Sequence, residues 1–376
     1  MKQTVLAGAD RIDEYASLFE GKKLGLLTNP TGILKDGTPT VKYLAERFDL
    51  RALFAPEHGL AGAVQAGGEI GKDESGTVPV YTMFGDRTEA YAAIDGLDLL
   101  VCDIQDVGCR YYTYVGTMSE MMEQCEKKGV PFLVLDRINP IGGAIEGVIL
   151  EDGISTLVGK YPVPHRHGLT MGEMAKWIAM RFLPALSLTV VPCSGWTRNT
   201  YFDETDLPFV IPSPNMPTVE TAFVYPGTCL FEATNLSEGR GTTKPFELFG
   251  APWLRTAELD RAFREAALPG CFLRETGFTP TFSKYQGEYC RGFQLHITDR
   301  NTFLPVKTGL VLLSLIRRQN PECTVRDWGL TRLTGTKAVV DPSFDLLKWL
   351  EDGKAGVDAY KNEIRPLLLY GEEAES

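Results

Sequence analysis

The stretch "LFAPEHG", residues 53–59, ends an apolar run at Pro56 and places Glu57 and His58 directly after it. Such an apolar run is typical of a buried strand. Histidine is scarce in this chain, with four residues in 376, so a histidine next to a carboxylate at a strand end is conspicuous. What this pair can do depends on where the strand lies in the fold.

Similar short apolar runs alternate with helical patterns through the first two hundred residues. Apolar residues recur at helical spacing over 40–48, 113–129 and 170–182, and Thr170 with Glu173 forms a capping box at the start of the third pattern. Strands that are apolar throughout and separated by helices predict an α/β fold with a parallel sheet covered on both faces. The predicted strands are "KKLGLLTNP" (22–30), "LRALFAP" (50–56), "DLLVCDIQD" (98–106), "PFLVLDRINP" (131–140) and "LSLTVVPC" (186–193).

The character of the sequence changes at about residue 209. Residues 209–253 are rich in Pro, Gly and Thr and show little helical period, which is typical of a long functional loop. Helical patterns then follow at 256–268 and 305–318, with the strand-like runs "CFLRETGF" and "RGFQLHIT" between them. We therefore predict two domains, 1–208 and 209–376, the second a smaller α+β domain packed over the carboxyl edge of the sheet.

Composition excludes several classes of partner. A net charge of −11 argues against binding to a nucleic-acid backbone, which requires clustered Lys and Arg. No window approaches 18 uncharged apolar residues, so no membrane span is expected.

The eight cysteines form no CxxC pair and fall mostly in apolar runs, which is typical of buried, reduced thiols. Without a secretory h-region near the start, the sequence predicts a cytoplasmic protein.

Polar side chains follow each predicted strand at its carboxyl end, where ligands of parallel sheets bind. No GxGxxG follows the first strand and no GxxxxGK[ST] occurs, so a dinucleotide or P-loop site is not predicted. The polar residues of this edge are Asn29, Glu57, His58, Gln105, Asp106, Asp136, Arg137 and Asn139.

Glu57 is the first candidate for chemistry. Pro56 and Gly59 would hold its carboxyl group at the mouth of a cleft, and partial burial favours the protonated form, so Glu57 could act as a general acid at neutral pH. The alternative is a loop carboxylate that caps a helix or pairs with an arginine. His58 would be a neighbouring hydrogen-bonding group or substrate contact.

Two further strand ends offer groups that suit a sugar. In "CDIQDVGCRYYTY" (102–114), Asp103 or Asp106 with Arg110 could bind hydroxyls while the tyrosines cover C–H faces; alternatively, an Asp–Arg110 pair holds the loop. Arg137 is a candidate for a substrate carboxylate or for a structural salt bridge.

The remaining motifs leave carboxylate chemistry as the main possibility. His165 and His167 are two residues apart, but no third ligand follows at metal spacing, so no metal is predicted. In "LSEGRGTTKPFE" (236–247), the glycines allow close backbone approach while Glu238 and Arg240 carry charge; a surface ion pair in a tight turn is the alternative. No GxSxG elbow occurs, and glycoside hydrolysis is the commonest reaction that uses carboxylate acid/base pairs.

The order of the long motifs resembles the NamZ-type exo-β-N-acetylmuramidases over about residues 5–335. The resemblance implies a Rossmann-like N-terminal domain, a smaller C-terminal domain and an active cleft between them. It also implies release of β-1,4-linked N-acetylmuramic acid from the non-reducing end of peptidoglycan fragments, without a cofactor, and a possible homodimer. The motifs include "GLLTNPTG", "LFAPEHG", "QAGGEIG", "DIQDVGCRYYTY", "LDRINPIGG", "VGKYPVPHRHGLTMGE", "PSPNMPT", "YPGTCLFEATNLSEGRGTTKPFELFGAPW" and "FTPTFSKYQGE".

The family's PEHG glutamate corresponds to Glu57, which the resemblance implies is catalytic. The sequence departs from the family pattern at Ala55, Ile138 and, beside the proposed acid, at Ala61 and Ala63. The other motif residues that the resemblance assigns to the pocket are Asn29, His58, Gln65, Asp106, Arg110, Arg137, Asn139, His167, Asn215, Glu238 and Arg240.

The sequence leaves the partner of Glu57 open. Glu238 and Asp106 are the carboxylate candidates for stabilising the oxocarbenium-like centre or activating water, and the acetamido group of the substrate is a third option. Arg137, Arg240 or Arg110 would bind the lactyl carboxylate of muramic acid. The alternative functions are a non-catalytic muropeptide-binding or sensing protein and a hydrolase of another amino sugar.

Overall fold

A six-stranded parallel sheet forms the centre of the first half of the chain. The computed structural model describes residues 2–57, 59, 78–341 and 343–372. The strand order is β3-β2-β1-β4-β5-β6, which is the doubly wound order of Rossmann-like domains. This confirms the predicted fold class and adds β3, which is too short for a sequence pattern. The strands are β1 (Lys23–Thr28), β2 (Asp49–Ala55), β3 (Val80–Thr82), β4 (Leu99–Asp103), β5 (Phe132–Leu135) and β6 (Leu188–Val191).

Both faces of this sheet are buried, as the continuous apolar strands predict. Along β4, Leu99 and Val101 belong to one apolar core, while Leu100 and Cys102 belong to the core on the opposite face. The α-helices in the described residues of this half are α1 (Thr40–Arg47), α2 (Thr88–Ala93), α3 (Thr113–Lys128) and α4 (Met171–Phe182).

The predicted capping box at the start of α4 is present. The amide of Glu173 donates to Thr170 Oγ1 at 3.2 Å, and the amide of Thr170 donates to Glu173 Oε2 at 3.0 Å. Two orphan donors of the helix N-terminus are thereby satisfied, which fixes the start of α4 at the residue that the sequence indicates.

The second half contains a three-stranded antiparallel sheet with the order β7-β9-β8, accompanied by helices. The predicted strands at 271–278 and 291–298 and the predicted helices at 256–268 and 305–318 are confirmed, within a few residues at their ends. In the described parts of the chain, no helix combines the length and apolar character needed to cross a membrane. The elements are α5 (Val219–Thr228), β7 (Leu248–Ala251), α6 (Thr256–Glu265), β8 (Cys271–Phe278), β9 (Cys290–Ile297), α7 (Pro305–Gln319), α8 (Asp327–Thr334), α9 (Leu346–Asp352) and α10 (Lys354–Ile364).

Residues 209–253 contain more regular secondary structure than the long loop predicted from the sequence, because α5 and β7 lie within them. The ten residues of α5 include Pro226, and nine of them are buried. A helix buried on all sides has no polar face and therefore lacks the amphipathic period that reveals helices in a sequence.

The C-terminal segment packs back on the first half of the chain. The hydroxyl of Tyr370 donates to Asp136 Oδ2 at 2.6 Å, and the hydroxyl of Tyr360 donates to the carbonyl of His167 at 3.0 Å. The amide of Leu369 donates to Glu173 Oε1 at 2.9 Å. The segment therefore ties the two halves together, while the domain division at residues 208 and 209 stays a prediction.

Glu146 joins the first half to α7. Its two carboxylate oxygens accept hydrogen bonds from the amides of Val306 at 3.2 Å and Lys307 at 2.8 Å, in the first turn of the helix. Burial raises the pKa of Glu146 from its usual 4.5 to about 7, although these amides and Arg166 act in the opposite direction. The folded protein thus holds a proton here at pH values where the unfolded chain has lost it.

The raised pKa of Glu146 predicts that this group stabilises the fold less as pH rises from about 4.5 to about 7. In that interval Glu146 binds more protons in the folded than in the unfolded state, so its contribution to the free energy of unfolding falls, by on the order of 3 kcal/mol. Urea denaturation at several pH values measures the slope of the free energy of unfolding against pH, and Glu146→Gln should shift this slope toward positive values. An unchanged slope in Glu146→Gln would contradict the assignment.

Candidate active site

A cavity of about 400 Å³ opens between the carboxyl edge of the parallel sheet and the second half of the chain. Its volume lies within the range of small-molecule sites, roughly 300–1,000 Å³. Side chains from residues 57–158 and from residues 213–332 line it. Among the described residues, the aromatic part of the lining includes Phe84, Tyr111, Tyr112, Tyr225 and Phe246, and the charged part includes Glu57, Glu232, Arg240 and Arg332.

Glu57 lies on the wall of this cavity and is partly buried. It follows β2 in a tight turn in which the amide of Gly59 donates to the carbonyl of Pro56 at 3.1 Å. Gly59 has a φ of +75°, which favours glycine at that position. Thr113, the first residue of α3, donates through Oγ1 to Glu57 Oε2 at 3.0 Å. The strand end and the helix start therefore both position the Glu57 carboxyl group.

A second carboxylate of the cavity belongs to Glu232, which was not among the residues predicted from the sequence. Glu232 lies just beyond α5, and Arg240 donates through Nη2 to its Oε1 at 2.5 Å. Burial alone would lower the pKa of Arg240, but the carboxylates of Glu232 and Glu238 raise it. The cavity thus holds two carboxyl groups of different character, one hydrogen-bonded to a threonine and one ion-paired to a buried arginine.

Glu238 lies behind this pair and does not line the cavity. Its side chain is buried, and Lys284 donates to its Oε2 at 2.8 Å. Arg240 Nε lies 3.4 Å from its Oε1. Glu238 therefore holds two cations in place, and the sequence-based assignment of a catalytic role to it finds no support in this position.

Asp106 is likewise buried and is absent from the lining of the cavity. Its Oδ2 accepts a hydrogen bond from the amide of Gly108 at 2.7 Å and lies 3.5 Å from His167 Nε2. The φ of Gly108 is +80°, so the carboxylate fixes a turn that requires glycine. The geometry favours a structural role for Asp106.

Arg137 forms a structural salt bridge, which is one of the two roles that the sequence left open. Its Nε and Nη2 donate to the two oxygens of Asp103 at 2.6 Å and 2.9 Å, and Nη2 also donates to the carbonyl of Ile33. Burial would lower the pKa of Arg137, but Asp103 raises it. This bidentate pair connects the ends of β4 and β5, and it leaves neither residue in contact with the cavity.

Arg110 does not pair with Asp103 or Asp106, in contrast to the interpretation from sequence. Its guanidinium is buried and donates to main-chain carbonyls of both halves, and its Nη2 lies 3.2 Å from His165 Nε2. Burial lowers the pKa of Arg110 to about 10. The accepting carbonyls belong to Val148, Val163, Leu333 and Thr334.

The other predicted residues divide into one cavity residue and several structural ones. Asn215 lines the cavity. Asn29 accepts from Thr31, Asn139 bridges Leu169 and Ile141, and His167 Nδ1 accepts from the amide of Leu169. No cluster of metal-ligating side chains occurs in the described ranges. His58, Gln65 and the 61–63 segment lie outside the described residues.

The arrangement suits a carbohydrate. Aromatic side chains offer surfaces for C–H faces, Thr113, Ser213 and Asn215 offer hydrogen bonds, and two carboxyl groups face a common space. Of the residues predicted from sequence, Glu57, Asn215 and Arg240 meet at this cavity.

Comparison with known proteins identifies relatives over nearly the whole chain. The family models described as "Exo-beta-N-acetylmuramidase NamZ, N-terminal" and "Exo-beta-N-acetylmuramidase NamZ, C-terminal" match residues 24–220 and 223–370. The peptidoglycan beta-N-acetylmuramidase NamZ of Bacillus subtilis (strain 168) is 48% identical over 328 residues, which cover 85% of this chain and 79% of that protein.

Two crystal structures of DUF1343 family proteins from Bacteroides fragilis have a similar fold. One has a TM-score of 0.90 at 31% identity and covers 98% of this chain and 100% of its own. The other has a TM-score of 0.79 at 28% identity, with coverage of 98% and 99%. Both halves of the chain therefore have counterparts of known structure.

Proposed function

The chain belongs to the exo-β-N-acetylmuramidase NamZ family, and we propose that it is a glycosidase that releases N-acetylmuramic acid from peptidoglycan fragments. We propose further that it acts on the terminal β-1,4-linked residue at the non-reducing end. The observation that carries this proposal is the position of Glu57, the glutamate of the family's PEHG motif, on the wall of a cavity that also contains Glu232.

In the proposed mechanism, Glu57 protonates the departing glycosidic oxygen. A positioned general acid lowers the barrier because the leaving group departs as a neutral alcohol rather than as an alkoxide. Thr113 orients the carboxyl group by its hydrogen bond to Oε2. Support for this role comes from the partial burial of Glu57, which limits competition from bulk water.

Glu232 takes the second role in this proposal, in place of Glu238 and Asp106. Its carboxylate lines the cavity and pairs with Arg240, and a carboxylate in this position could stabilise an oxocarbenium-like centre or activate water. Asn215 and the tyrosines of the lining would bind the sugar. No metal or cofactor takes part in the proposed reaction.

The test of the proposed function is a pair of chromogenic substrates, an aryl β-N-acetylmuraminide and the matching β-N-acetylglucosaminide. We expect turnover of the muraminide with a much higher kcat/KM than that of the glucosaminide. Preferred turnover of the glucosaminide would favour a hydrolase of another amino sugar. Binding of muropeptides without turnover of either substrate would favour a binding protein.

A further inference from the structure

The lactyl ether of N-acetylmuramic acid carries a carboxylate that N-acetylglucosamine lacks, so selectivity for muramic acid calls for a cation in the cavity. The three arginines suggested by the sequence already have partners. Arg110 donates to main-chain carbonyls and Arg137 pairs with Asp103. Arg240 lines the cavity but is shared by Glu232 and Glu238, which neutralise it.

A fourth arginine, Arg332, lies on α8 and lines the same cavity. Its Nε is a buried donor without a hydrogen-bond partner among the described residues. Within the described ranges, no carboxylate forms an ion pair with it. Buried donors are almost always satisfied in native proteins, so an unpaired Nε on an arginine that lines a cavity indicates a place that a ligand fills.

Thr156 supplies a second unsatisfied group on this wall. Thr156 lines the cavity, and its Oγ1 is buried and has no partner in the part of the chain that the structure describes. The turn that carries it is closed by two main-chain hydrogen bonds between Thr156 and Gly159. A Cβ atom built at Gly159 would lie 3.7 Å from the carbonyl oxygen of Arg332, so this turn packs directly against α8.

We propose that Arg332 and Thr156 form a carboxylate subsite that binds the lactyl group of N-acetylmuramic acid. The proposal rests on the proposed function and assigns the group that distinguishes its substrate. A guanidinium donates two parallel N–H bonds to a carboxylate, and the threonine hydroxyl adds a third donor. Glu232 neutralises Arg240. Among the described residues that line the cavity, this leaves Arg332 as the cation that can bind a substrate carboxylate.

The experiment compares an aryl β-N-acetylmuraminide with its lactyl carboxamide, which has the same shape but no charge. In Arg332→Gln, kcat/KM for the carboxylate should fall about 10- to 100-fold, while kcat/KM for the carboxamide should change by less than about threefold. Thr156→Val should lower kcat/KM for the carboxylate by about three- to tenfold. The matched control is Arg318→Gln, an exposed position on α7, which should leave both substrates unaffected.

An equal loss on both substrates, or an unchanged kcat/KM for the carboxylate, would overturn the subsite. Should Arg332→Gln fail to fold, Thr156→Val carries the same comparison. If the wild-type protein hydrolyses neither substrate, the proposed function fails, and calorimetric binding tests the subsite independently. The subsite is supported if the wild-type protein binds N-acetylmuramic acid more tightly than its carboxamide and Arg332→Gln abolishes this difference. Equal binding of the two compounds by the wild-type protein would refute the subsite.

Discussion

Replacing Glu57 with glutamine is expected to lower kcat for a natural disaccharide substrate by a factor of about 10²–10⁴. Glutamine keeps the shape of the side chain and can still accept the hydrogen bond from Thr113 Oγ1, but it has no proton to give to the leaving oxygen. Binding should change little, so the loss should appear in kcat rather than in KM. Release of free N-acetylmuramic acid, followed by mass spectrometry, measures both constants.

The matched control for this variant is Glu46→Gln, which makes the same change at an exposed position of α1. It should have wild-type kcat. A Glu57→Gln protein that retains wild-type kcat on the disaccharide would remove Glu57 from the reaction and leave the cavity without its proposed acid.

Replacing Glu232 with glutamine is the second large expected effect, with kcat lower by about 10²–10³. The variant removes the negative charge that we assign to stabilising the oxocarbenium-like centre or to activating water. The fold should tolerate the change because Arg240 keeps its second carboxylate partner, Glu238. Thermal unfolding should therefore be close to that of the wild-type protein.

Azide distinguishes the role of Glu232 from that of Glu57. A small anion can occupy the space of a lost carboxylate and attack the sugar, so azide should raise the rate of Glu232→Gln on an aryl muraminide. The same azide concentration should not restore the activity of Glu57→Gln on the disaccharide, because azide does not supply the proton that the leaving oxygen needs. Wild-type activity in Glu232→Gln would show that a group other than Glu232 stabilises the oxocarbenium-like centre or activates water.

The first half of the fold could be predicted from sequence because its strands are apolar on both sides. Each of the five predicted strands is a short continuous run, and parallel sheets are the common structure that buries both faces of a strand. The helix α5 was not predicted, because burial on nearly all sides removes the amphipathic period by which a helix is recognised in a sequence.

The candidate site could be predicted only in part, because polar residues at strand ends serve two purposes. Glu57 reaches the cavity, whereas Asp106 and Arg110 bond to buried main-chain groups and Arg137 pairs with Asp103, all away from the cavity lining. A sequence shows that these residues come after strands, but it does not show at which depth their side chains lie. The structure separates the two layers.

Glu232 and Arg332 were missed because tertiary packing alone brings them to the cavity. Glu232 follows the buried helix α5, and Arg332 lies on α8, far along the chain from Glu57. Glu232 stands within the motif of residues 225–253, but nothing in that motif marks it out as a cavity residue, and Arg332 stands in none of the quoted motifs. Their position against the same cavity becomes visible only when both halves of the chain are placed together.

Proton donation by Glu57 is tested most directly by the dependence of kcat/KM on the acidity of the leaving group, in a series of aryl β-N-acetylmuraminides. The wild-type protein should show a weak dependence, because the acid protonates poor and good leaving groups alike. Glu57→Gln should show a steep one, with near-normal rates for the most acidic phenols and the largest losses for the least acidic. Equal losses across the whole series would contradict the assignment of Glu57 as the general acid.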